Sequence, residues 1–386
     1  MYPYRYFLVF LAIPLCFSGR LVQCRPSEHL EKSSNYRVNS SIPTSPSPSS
    51  KNYNPPQISS SVFNVLSYGA LGDGSSDDTQ AFKTAWDLAC EANVPAVVLV
   101  PAHYTFLIQS TVFTGPCENV LVFQAIRFYG SSNLTVQGVK IKNSPHFHFR
   151  FDYCDNVRID SLYINSPATS PNTDGIHVEN CNDVKIYNSI IANGDDCVSI
   201  GTGSYNVDIR NITCGPSHGI SIGSLGTKNT RACVSNITVS DSVIILSDNG
   251  VRIKTWQGGF GSVSRVAFAN IRMDRVRNPI IIDQYYCENS KGKCPNQSSA
   301  VYISGVSYTS IKGTYDPRDP PVSFACSDTV PCTNLTLRAI QLSPAAGKVN
   351  RLRAPFCWKA YGDDEKHHCL ADGLPKLLPV RDADKC

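Results

Sequence analysis

The sequence predicts an all-β chain, a right-handed parallel β-helix closed by an N-terminal capping helix and a disulfide-rich C-terminal cap. The first observation is a phrase that returns from Asn133 onward: an Asn or Asp, then alternating apolar residues, then a small or polar turn. It opens at Asn133, Asn156, Asp183, Asn206, Asn236, Arg265, Ala300 and Asn334. The second is the interval, in the twenties at first and in the thirties later, which is the period of a solenoid. Strands this short bury no face alone, but stacked in parallel about 4.8 Å apart they fill a continuous interior with Val, Ile and Leu. A leucine-rich horseshoe would need a leucine spacing that is missing. The third is that the repeat stops at both ends, as a solenoid that must cover its terminal coils requires.

Residues 1–24 carry Arg5 and an apolar run from Phe7 to Phe17, the pattern of a secretory signal and too short to span a membrane. Residues 25–60 are rich in Ser, Pro and Asn, the composition of a disordered linker or removable pro-segment. The β-helix domain is assigned to 61–386. At its start Ala81, Phe82, Ala85, Trp86, Ala89 and Cys90 share one helical face behind Asp77 and Asp78, with Gln80 placed for a capping box. That helix is expected to plug the first coil. From about Arg351 to Cys386 the repeat is lost and three cysteines follow, which predicts a stapled cap.

The chain has 16 cysteines; without Cys16 and Cys24 fourteen remain, an even number suited to an oxidising compartment. Short separations favour local bridges between Cys287 and Cys294 and between Cys326 and Cys332. The cysteines do not form CxxC pairs, so no zinc site is expected. Asn39, Asn133, Asn211, Asn236, Asn296 and Asn334 each open an Asn-X-Ser/Thr sequon, and in a secreted chain they predict a glycoprotein. The formal net charge of +4 suits an anionic polymer without demanding one. No run of Lys and Arg interleaved with aromatics points to nucleic acid, and no later apolar stretch is long enough to cross a bilayer.

Four polar clusters carry the chemistry: Asn172-Thr173-Asp174, Gly194-Asp195-Asp196, Ser217-His218-Gly219 and Arg252-Ile253-Lys254. Each alone is ordinary, since acidic residues at strand ends are usually turn formers. Their spacing changes the reading. Asp174 to Asp196 and Asp196 to His218 are both 22 residues, so on a coil of that length the acids and the histidine stack on three consecutive rungs. Carboxylates this close repel and raise at least one pKa, a cost expected where chemistry uses them.

Glycosidic cleavage needs such a set. One carboxyl protonates the leaving oxygen while another activates water, and about 6.5–9.5 Å between them leaves room for that water. Consecutive rungs could span that distance. For Asp195 and Asp196 both to face the cleft the backbone must bend, which Gly194 would permit. His218 can hold a proton or tune a carboxylate. Arg252 and Lys254 point to one face with Ile253 inward, where they could grip a substrate carboxylate, Arg252 by a bidentate fork.

With these motifs in order the chain resembles the polygalacturonases of glycoside hydrolase family 28, in their plant-type branch. The resemblance runs from about residue 62 to the C-terminus. It rests on Phe63-Asn64-Val65, Gly72-Asp73-Gly74, Asp77-Asp78-Thr79-Gln80, Ser170-Pro171-Asn172-Thr173-Asp174-Gly175, Gly194-Asp195-Asp196-Cys197, Cys214-Gly215-Pro216-Ser217-His218-Gly219 and Arg252-Ile253-Lys254-Thr255-Trp256. It implies hydrolysis of α-1,4-galacturonan in pectin by inversion, without metal or other cofactor, by a secreted cell-wall enzyme expected to be monomeric. By matched position Asp195 is the proton donor, Asp174 and Asp196 activate water, and His218 supports the acid. Arg252 and Lys254 bind galacturonate carboxylate, Tyr286 is a subsite tyrosine, and Cys197 and Cys214 form a disulfide that braces the site. Ser217 stands where the family more often has glycine. Around Val122-Phe123-Gln124-Ala125-Ile126 an early coil runs directly into a phrase that family members reach only after a Gly- and Trp-rich stretch, so about two coils are missing. The competing readings are a calcium-dependent pectate lyase, a rhamnogalacturonan hydrolase, and a catalytically impaired β-helix that only binds pectin.

Overall fold

A computed structural model describes residues 61–94, 96–101, 104–108, 117–118, 121–123, 126–144, 146–287, 294, 296–345, 352–366, 369–371 and 386. The expected signal segment and linker, with the Asn39 sequon, lie outside the described residues.

From Ile126 the chain winds as a right-handed parallel β-helix whose faces are a fourteen-stranded and a nine-stranded sheet. The repeated phrase builds the larger sheet. Leu134, Val157, Val184, Val207, Ile237, Val266, Val306 and Leu335 are register partners on successive coils, all buried. The polar residue that opens the phrase has a backbone reason. Asn133, Asn156, Asp183, Asn206, Asn236, Arg265 and Asn334 all adopt a left-handed conformation, with φ between 50° and 58°, a region that Asn and Asp enter at least cost among residues with a side chain. The seventh coil corrects one expected start: its left-handed corner is Gly305, φ 69°, not Ala300, because Val306 is the residue in register with Val266 and Leu335. On the outside, corner side chains hydrogen-bond from coil to coil, Asn156 Nδ2 to Asn133 Oδ1 at 2.7 Å and Asn236 Nδ2 to Asn206 Oδ1 at 2.6 Å.

The nine-stranded sheet carries the polar clusters. Its strands run Ile126–Tyr129, Phe149–Asp152, Ile176–Glu179, Val198–Ile200, Ile220–Leu225, Asn249–Trp256, Asn278–Tyr286, Val322–Ala325 and Phe356–Trp358. Ile176, Val198 and Ile220 are register partners, so the coil here is 22 residues; the next partner, Val251, is 31 residues on.

The expected plug is the helix Thr79–Cys90, which buries Ala81, Phe82, Ala85, Ala89 and Cys90 and half-buries Trp86. The capping box does not form. Asp78 occupies the N-cap, but its carboxylate accepts from the N–H groups of Leu71 and Gly72 at 2.6 and 3.3 Å, closing the preceding turn, and Gln80 reaches Thr84 instead. The strands beside this helix, Ser61–Asn64, Ala96–Leu99 and Leu121–Phe123, form a sheet of their own. Among the described residues no strand of it pairs with the β-helix, and its core around Val65, Phe82 and Phe106 is separate from the core that begins at Phe128.

At the other end the repeat persists further than the sequence indicates. Phe356–Trp358 and Ala360–Asp364 extend both large sheets by one more coil inside the segment expected to be non-repeating. Disulfides Cys357–Cys369 and Cys233–Cys386 staple it. Cys287–Cys294 and Cys326–Cys332 pair as expected, and Cys90 pairs with Cys117. Two of the fourteen cysteines remain thiols: Cys154 and Cys181, buried on neighbouring coils, with the Cys154 N–H donating to Cys181 Sγ at 3.2 Å.

Candidate active site

The backbone ladder of the cleft sheet continues through the acidic turns. The N–H of His148 donates to Asp174 O, that of Gly175 to Asp196 O, and that of Cys197 to Gly219 O, at 2.7–2.9 Å. Each turn is therefore held against the one above. Asn193, fully buried, donates from Nδ2 to both Thr173 O and Asp196 O at 2.9 Å, tying the two acid-bearing turns together. The bend at Gly194 that brings both Asp195 and Asp196 to the cleft is there. The glycine is required by proximity: a Cβ at this position would lie 2.0 Å from Ser170 O. His148, also fully buried, ties the Asp174 carbonyl to Ser166 through its two ring nitrogens, at 3.0 and 2.7 Å.

All the expected catalytic residues meet on this floor. One carboxylate oxygen from each of Asp174, Asp195 and Asp196 lies within 4.8 Å of the others. This is the spacing of single oxygens, and the bend at Gly194 is what lets both Asp195 and Asp196 reach it. Asp174 is 7% exposed and Asp196 1%. Asp196 Oδ1 accepts from Ser221 Oγ at 2.8 Å and from Arg252 Nη2 at 2.9 Å, and its Oδ2 from Lys254 Nζ at 3.0 Å. His218 Nδ1 lies 3.2 Å from Asp195 Oδ1, and its Nε2 3.7 Å from Asp248. Lys254 Nζ sits 5.4 Å above the Tyr286 ring, which packs edge-on against Trp256. Cys197 and Cys214 are disulfide-bonded, linking the turn after Asp196 to the turn before His218.

The charges are unequal. Burial, then Asp196 and Asp195, push the Asp174 carboxyl up to about 7 against the opposing hydrogen bond from Ser199. Burial also pulls Asp195 upward, but the hydrogen bond and charge of His218, the Asp196 N–H and Lys254 outweigh it and hold Asp195 below the usual carboxylate range. The same hydrogen bond raises His218 against its burial. Asp174 thus carries a proton below about pH 7 and is a carboxylate above it, while the opposite shifts of Asp195 and His218 both favour a carboxylate beside an imidazolium.

The donor set does not suit a calcium ion. Calcium takes six to eight oxygens, while both oxygens of Asp196 already accept hydrogen bonds, Oδ1 from a hydroxyl and a guanidinium and Oδ2 from an ammonium, two of them cations that would repel the ion. Ser217, where glycine is more usual, braces the His218 turn. Its hydroxyl accepts from the Gly219 N–H at 2.9 Å and bonds Ser247 at 2.8 Å. Asn193, His148, His177, Ser199 and Ser221 are not singled out by the sequence. They sit inside strands or turns whose periodicity already accounts for them, and the signal lies in their register with the acids.

Residues 122–354 match the model of the family described as glycosyl hydrolases family 28. The chain is 37% identical over 375 residues to polygalacturonase-2 of Solanum lycopersicum, covering 80% of this chain and 81% of the relative. It is also 37% identical over 379 residues to a probable polygalacturonase of Arabidopsis thaliana, covering 81% and 84%. In the tomato alignment 80% of 386 residues is about 309, so about 66 of the 375 aligned positions hold no residue of this chain. Among solved structures, an endo-xylogalacturonan hydrolase from Aspergillus tubingensis superposes with a TM-score of 0.53 at 22% identity, covering 77% of this chain and 98% of that one, a likeness of fold.

Proposed function

The chain belongs to glycosyl hydrolases family 28 and is a glycosidase of the polygalacturonase type, and on that premise we propose that it hydrolyses α-1,4-galacturonosidic bonds of pectin with inversion. The observation that carries the proposal is the juxtaposition of three carboxylates within 4.8 Å and two cations about 3 Å from one of them, on one open sheet. Asp195 delivers the proton of the His218–Asp195 pair to the leaving oxygen. As substrate covers the pair, the lower polarity favours the neutral form, carboxylic acid beside neutral imidazole, over two opposed charges. Asp174 and Asp196 hold and activate the water. They place it beside the pair. Arg252 and Lys254 grip the galacturonate carboxylate beside Tyr286, which favours uniform galacturonan over a rhamnose-alternating chain. The two cations on Asp196 favour hydrolysis over a calcium-dependent lyase.

The protein acts as a secreted cell-wall glycoprotein. The N-terminal apolar segment, the six disulfides and the exposed sequon residues Asn133, Asn211, Asn236, Asn296 and Asn334 support this. The test is incubation of the purified chain with polygalacturonic acid, resolving products and following the first-formed reducing end by proton NMR. Reducing ends of β configuration are expected from the wild type, with a loss of at least about 10³-fold in Asp196→Asn. First products of α configuration would overturn inversion. An unsaturated product abolished by chelator would establish the lyase, and polymer binding without new reducing ends would leave a non-catalytic binding protein.

A further inference from the structure

Two hydroxyls serve two acids on neighbouring rungs. Ser199 Oγ donates to Asp174 Oδ2 at 2.6 Å and Ser221 Oγ to Asp196 Oδ1 at 2.8 Å. Both belong to one outward column of the cleft sheet, His177, Ser199, Ser221, Arg252, four register partners on successive coils. The column has different ends. Arg252 Nε donates to Ser221 Oγ at 3.1 Å, and an arginine keeps its proton in proteins, so this end of the column cannot accept one. At the other end His177 Nδ1 meets Ser199 Oγ at 2.8 Å and its Nε2 faces Glu179 Oε2 at 3.4 Å. Histidine exchanges protons near neutral pH.

We propose that Ser199 and His177 form a proton relay that removes from Asp174 the proton it takes from the attacking water, with Glu179 holding the imidazole in place. The inference rests on the reading of Asp174 as a water-activating group. The Asp174 O–H bond breaks as a new O–H bond forms at Ser199 Oγ. The former Ser199 O–H bond breaks as an N–H bond forms at His177 Nδ1. No electron is transferred: a neutral acid and a neutral imidazole become a carboxylate and an imidazolium. The ring, 15% exposed beside Glu179 at 28%, gives up a proton to water and re-equilibrates between its tautomers.

The surroundings suit a cation that comes and goes. Glu179 lies on the same strand and is held below the usual carboxylate range, first by the His177 hydrogen bond, against burial. Arg150, the register partner of His177 on the preceding strand, bonds Glu179 at 2.9 Å and offsets part of its charge. Phe147 stacks on the imidazole at 4.9 Å with His146 beside it. Asp174 stands across Ser199. His177 is therefore a positioning residue that acts through a hydroxyl.

Histidine side-chain NMR on the full chain tests the coupling without catalysis. Asp174→Asn is expected to lower the titration midpoint of His177 by at least about half a pH unit, and by clearly less in a Ser199→Ala background, where only the direct charge interaction between the two groups is left. A midpoint unmoved by Asp174→Asn, or a coupling undiminished by loss of Ser199, overturns the relay. In turnover, His177→Gln keeps the hydrogen bonds and cannot carry the proton, so kcat is expected to fall about tenfold or more with KM within about twofold, and the acid limb of the pH profile to move upward. An unchanged kcat and profile also overturns it. Should the wild type release no reducing ends, the pectin reading fails and the NMR cycle still decides the relay.

Discussion

Asp174 is the least comfortable residue of the site. Its folded carboxyl holds a proton up to about 7, where an unfolded aspartate loses it near 3.8, so between those values the native state binds more protons than the unfolded one. Stability contributed by this group therefore falls as pH rises through that window. Asp174→Asn is expected to gain nothing below about pH 4 and progressively more above it, to at most about 4 kcal/mol beyond pH 7. Thermal melts of both proteins from pH 4 to pH 8 check this, and a difference in Tm that stays constant with pH would refute it. The acids, the histidine and the cations were legible because their residue types are costly unless used. The hydroxyls were not, since serine on a strand advertises nothing until its register with an acid is known.

At the level of elements, the phrase was readable because a left-handed corner leaves a compositional trace, Asn or Asp before an alternating strand. The trace fails where Gly305 replaces the polar residue, and there the assigned start slipped to Ala300. Turns around the acids left a weaker trace, because their glycines answer to neighbours distant in sequence. Gly219 has φ of +88°, and a Cβ there would lie 2.2 Å from Asn249 O and 2.4 Å from Gly250 O. Gly219→Ala is expected to cost about 1–3 kcal/mol in backbone strain alone and to shift His218 away from Asp195. Lowered Tm with strongly reduced reducing-end release would show it; a wild-type Tm and rate would count against the packing described.

In the whole molecule the break lies where the sequence places it, between Phe123 and Ile126. The family match begins at residue 122, and the two cores on either side share no sheet among the described residues. Units with separate cores unfold with limited cooperativity, so calorimetry is expected to resolve a smaller early transition for the part containing the Thr79–Cys90 helix and a larger one for the β-helix. One coincident transition by heat and by both fluorescence and circular dichroism would mean that docking couples them. All the groups proposed to be catalytic lie in the larger unit. Because successive coils from Leu134 to Leu335 present one inward column to their neighbours, a coil within that stretch can be excised and its neighbours still meet edge to edge. A chain built this way changes length in quanta of whole coils, and the about 66 positions of the tomato alignment that hold no residue of this chain are as many as two to three coils contain.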